Sequence, residues 1–84
     1  MRRYFKETHV SGTVDRFTRE EHQIATELED RFGLRPGAIT EENLKQNEWT
    51  YWDLTVVEIT EQEYNDPELK ELCDFYSLSE FSYT

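Results

Sequence analysis

The chain predicts an α+β fold, with a small, mainly antiparallel sheet of about three strands and two main helices packed on one face. Three observations carry this. Residues 3–17 and 48–59 are rich in Thr, Val and aromatic residues, which suit a pleated, half-buried surface. Residues 19–32 set Ile24, Ala25, Leu28 and Phe32 on one helical stripe. Leu69, Leu72, Cys73 and Tyr76 repeat that spacing near the end of the chain.

The first extended segment is interrupted by Ser11 and Gly12, a turn signal. It reads as a hairpin of 3–10 with 13–17, in preference to one long strand bulged at Gly12. Two strands alone are marginal, so a third strand or a helix must cover them. Thr18 with Glu21 has the spacing of a capping box and starts the helix over 19–32. Glu27 and Arg31 form an i,i+4 pair within it, and Gly33 is placed to end it in the left-handed region.

Arg35, Pro36 and Gly37 form a turn. Thr40 is a candidate cap for a short helix over 41–46, with Glu41 and Glu42 in the first turn. Asn43 stands where a capping box has Glu or Gln, so the reciprocal bond is expected to be missing. Residues 48–59 read as one strand covered on both sides, at least over part of its length, because neither alternate face is uniformly polar; the other reading leaves one aromatic end exposed to meet a partner. Thr60 with Glu63, then Asp66 followed by Pro67, are start signals for the final helix. Residues 77–84 read as a frayed end or a short edge strand. The whole of 1–84 is expected to be a single compact domain, since no repeat, linker or low-complexity stretch divides it.

Charge is the strongest compositional feature. Nineteen Asp and Glu oppose nine Lys and Arg, for a net charge of -10. Arg2, Arg3, Lys6 and Arg16 make the first sixteen residues basic on balance, leaving -12 on the rest. Such a field disfavours direct nucleic-acid binding and anionic membrane, and favours basic protein surfaces. One cysteine, Cys73, excludes an internal disulfide framework. No apolar run approaches a membrane span or a secretory signal, so a cytoplasmic protein is expected.

No pattern for catalysis, metal or cofactor stands out. His9 and His22 lack ligand spacing, the three glycines are isolated, and acid pairs occur by chance in so acidic a chain. Cys73 lies on an apolar stripe and reads as a small hydrophobe. The expectation is therefore a non-enzymatic, acidic protein-binding module with no cofactor and no metal. Its candidate contact residues are the acids Glu58, Glu61, Glu63, Asp66, Glu68, Glu71 and Asp74, with Trp49, Tyr51 and Trp52 as aromatic anchors. The expected partner is the basic surface of a protein, such as a nucleic-acid-binding enzyme or regulator, inhibited by nucleic-acid mimicry as with phage or mobile-element products. The alternative is a structural or accessory subunit, including a homodimer, assembling through the aromatic strand.

Overall fold

The computed structural model describes residues 1–76, so the expectation for 77–84 lies outside the described residues. The chain begins with strand β1 (Arg2–His9) and strand β2 (Val14–Glu20). A 3-10 turn (Glu21–Gln23) leads into helix α1 (Ile24–Phe32). Short helix α2 (Glu41–Leu44) precedes strands β3 (Glu48–Tyr51) and β4 (Leu54–Ile59). Helices α3 (Glu61–Tyr64) and α4 (Pro67–Tyr76) follow. The sheet is antiparallel, in the order β2-β1-β4-β3.

The class is α+β as expected, but among the described residues the sheet has four strands rather than about three. The extra strand arises within 48–59, which folds back on itself through Trp52 and Asp53, with Tyr51 paired to Leu54. The sequence gives little sign of this turn, because two-residue hairpin loops usually draw on Gly or Asn at positive φ. Here Trp52 itself takes φ 58. The first segment is a hairpin: the Gly12 N–H donates to the His9 carbonyl at 2.8 Å, and Gly12 takes φ 98.

Two helix starts also differ from expectation. Thr18 pairs with Tyr4 in the sheet, and its hydroxyl donates to the Arg3 carbonyl at 2.9 Å. The eight residues of β1 extend the ladder to Glu20, and cross-strand pairing prevails over the local cap. Helix α1 therefore starts at Ile24 rather than near 19, and Gly33 ends it in the left-handed region as expected. At Thr40 the reciprocal bond does form, with the Thr40 N–H donating to Asn43 Oδ1 at 3.1 Å. The amide side chain of Asn43, shorter than Glu or Gln, is long enough to make this bond.

The helices cover both faces rather than one. Pleating puts Phe5, Phe17, Leu54 and Val56 on one face, where α1 adds Ile24, Leu28 and Phe32 and β3 adds Trp49. Phe5 stacks on Phe17 with centroids 5.0 Å apart and meets the Trp49 edge at 5.8 Å. Phe5, Ile24, Leu28 and Val56 are wholly buried, each worth roughly 1.5–3 kcal/mol by transfer. Tyr4, Lys6 and Arg16 point to the opposite face, where Tyr64 packs 5.2 Å from the Tyr4 ring and 4.6 Å from the Arg16 guanidinium. Cys73 of α4 is buried on this side. The partly apolar second face, with Val57 and Ile59 half-buried, needs this second layer.

Candidate partner-binding surfaces

The acids divide into internal structural groups and surface groups. Glu7 is 2% exposed and accepts from Arg31 Nη1 at 2.7 Å. Glu27 bridges Arg31 and Arg19, each at 2.8 Å, while the Arg31 guanidinium lies 4.0 Å from the Phe17 ring centre. Glu29 is buried within α1, and its Oε2 accepts from the backbone N–H groups of Gly37 and Ile39 at 2.9 and 3.0 Å. Leu34 and Ile39 are thereby held against the core. Arginine is thus consumed largely inside the sheet and α1, against carboxylates that composition alone would place in solvent.

The predicted contact acids separate in the same way. Glu58 takes Arg3 in a bidentate pair, both bonds 2.9 Å. That hydrogen-bonded carboxylate holds the Arg3 guanidinium pKa above its ordinary value, against the opposing effect of burial. Glu63 caps α3: its Oε1 accepts from the Thr60 N–H at 2.9 Å, and its own N–H donates to Thr60 Oγ1 at 3.0 Å. The Thr60 backbone N–H first, and the Thr60 hydroxyl second, hold the Glu63 carboxyl below the usual carboxylate range. Asp66 caps α4 by accepting from the Glu68 N–H at 2.8 Å. Glu61, Glu68, Glu71 and Asp74 are exposed on α3 and α4, with Lys70 the basic residue among them. Glu61 also lies close to Tyr4, whose phenol is pushed up by burial first and by the Glu61 carboxylate second.

The three aromatic candidates separate as well. Trp49 is 6% exposed in the core, and its indole N–H donates to the Asn43 carbonyl at 2.9 Å. That burial removes it from any contact surface. Tyr51 is 42% exposed and Trp52 85% exposed, at the tip of the β3–β4 hairpin. They rim a shallow depression of about 340 Å³ that also includes His9, Arg31 and Phe32. The hairpin tip precedes Leu54, whereas α3 leaves from the Ile59 end of β4, about 20 Å away at strand rise. The acidic helices and the aromatic tip are therefore two surfaces rather than one.

Sequence reading allowed for an exposed aromatic end but missed the reversal at Trp52 and Asp53 that makes it a hairpin tip. Its available signal was Asp53, a residue depleted in strands, in the middle of an otherwise aromatic and β-branched run. Among the described residues no group of three or more His, Cys, Asp or Glu is arranged to hold a metal ion. No described helix is long and apolar enough to cross a membrane. The Cys73 thiol is pushed up by burial, with the Asp15 carboxylate adding to the effect. Comparison with family models, with curated proteins and with solved structures finds no match for this chain.

Proposed function

We propose that this protein is an acidic binding module that engages the basic, nucleic-acid-binding surface of a partner protein and blocks it. The supporting observation is the partition of charge. Arg3, Arg19 and Arg31 are committed to Glu58, Glu27 and Glu7, whereas residues 60–76 carry six carboxylates against Lys70 alone. On α4, Glu68, Glu71 and Asp74 recur every three residues, an axial rise of about 4.5 Å. Phosphates recur about every 3.4 Å of axis along one strand of duplex DNA. Cys73 faces the sheet, which turns these three acids toward solvent.

Affinity capture at low and moderate salt tests this role, using wild-type protein and a Glu61→Gln, Glu68→Gln, Glu71→Gln, Asp74→Asn variant. The expected result is retention of a basic nucleic-acid-binding protein that added nucleic acid displaces. Capture should weaken roughly tenfold or more in the variant and fall steeply with salt. Capture indifferent to both salt and the four substitutions refutes it. A second role, as an accessory subunit or homodimer, draws on β3 being a sheet edge. A monomer at every concentration in sedimentation equilibrium excludes the homodimer.

A further inference from the structure

The β3–β4 tip carries strain that a glycine in the same place would not. Trp52 sits at φ 58, in the left-handed region that a bulky side chain enters only at a cost. Glycine takes the first position of such a loop freely. Burial does not compensate the indole, which is 85% exposed. Its ring nevertheless has a defined place. It meets Tyr51 edge to face at 5.9 Å and 87°, and Tyr51 in turn meets Phe32 of the core at 5.9 Å. Beside it, Asp53 is exposed, and among the described residues no cation lies within ion-pair distance of its carboxylate. The Asp53 carbonyl accepts from the Val10 N–H at 2.9 Å, tying this tip to the neighbouring hairpin. Strain retained at an exposed position is characteristic of ligand clamps.

An indole beside an unneutralised carboxylate suits a guanidinium group. Arginine is planar and weakly hydrated, stacks on aromatic faces and donates two parallel bonds to a carboxylate, whereas the lysine ammonium is compact and strongly hydrated. We propose that Trp52 and Asp53 form a clamp for an arginine side chain on the basic partner. The clamp rests on the acidic-module role proposed above and supplies its anchor. Charge selects this occupant over a second copy of the chain, since two molecules of net charge -10 repel. Arg31, in the wall of the depression, does not oppose an incoming cation, because Glu7 and Glu27 already neutralise it.

Two peptides of equal length and charge, one built on arginine and one on lysine, serve as probes. Each is titrated calorimetrically at moderate salt into wild type, Trp52→Gly and Asp53→Asn. Wild type should bind the arginine peptide roughly three- to tenfold more tightly than the lysine peptide. Either substitution should bring that ratio to about one. Trp52→Gly should keep or raise the thermal midpoint, because glycine relieves the strain, so a lost preference does not reflect unfolding. Equal wild-type affinity for the two peptides, or a preference that survives both substitutions, overturns the clamp and leaves the acidic module standing. If neither peptide shows salt-dependent binding, the module and the clamp fall together.

Discussion

Removing the Glu29 side chain should destabilise the protein, even though no partner residue carries a formal positive charge. One carboxylate oxygen accepts from both Gly37 and Ile39, at 2.9 and 3.0 Å. Hydrogen bonds to a charged group contribute about 1.5–3 kcal/mol each when both partners are buried. Gly37 is exposed, so water recovers much of its bond, whereas Ile39 is half-buried. Counting about 0.5–1 kcal/mol for Gly37 and about 1.5–2 kcal/mol for Ile39 gives a loss of about 2–3 kcal/mol for Glu29→Ala. The better helix propensity of Ala offsets a few tenths of that. A loss of this size lowers the thermal midpoint by roughly 8–20 °C in a domain of this length. Glu29→Gln keeps an oxygen that can accept both bonds and loses only the charge assistance, so about 1 kcal/mol is expected. Urea unfolding followed by far-UV circular dichroism, at unchanged m-value, measures both. Hydrogen exchange localises the effect, with the Gly37 and Ile39 amides losing protection first. If Gln proves as costly as Ala, or Ala costs less than about 0.5 kcal/mol, the carboxylate is not what fastens the loop.

Two further outcomes follow from titrating groups. The carboxyl of Glu63 is held below its ordinary range by its bonds to Thr60, so its contribution to α3 is present above the normal glutamate pKa and is lost as pH falls through the lowered folded value. An NMR titration should move Glu63 only partway toward ordinary behaviour in Thr60→Ala, which removes the hydroxyl but keeps the Thr60 N–H, and an identical titration in both proteins contradicts the part assigned to the hydroxyl. Burial raises the Cys73 thiol, so native protein at neutral pH should react with iodoacetamide far more slowly than protein in urea. Equal rates in the two conditions count against a buried thiol.

Much of the architecture was legible because it rests on periodicity and on end signals. The stripe of Ile24, Leu28 and Phe32, the stop at Gly33 and the turn at Gly12 all express local backbone preferences. What was not legible depends on partners distant in sequence. Thr18 has a good capping residue three positions on, yet Tyr4 claims it for the sheet. Trp52 has no turn propensity, and its reversal is imposed by β4 pairing with β1 along Tyr4 to His9. The candidate acids look alike in sequence, but Glu58 answers Arg3 across fifty-five residues while Glu71 faces solvent. Carboxylate abundance predicts net charge well and predicts poorly which carboxylates a partner can reach.

The two indoles also give the protein a pair of independent optical reporters. Trp49, enclosed and hydrogen-bonded to Asn43, emits from an apolar setting and is shielded from acrylamide. Trp52, at the solvent-facing tip, emits further to the red and quenches freely. A ligand arriving at the hairpin changes the quenchable fraction alone, whereas unfolding merges the two populations. A single fluorescence titration therefore separates occupancy of the tip from loss of the fold, without any added label.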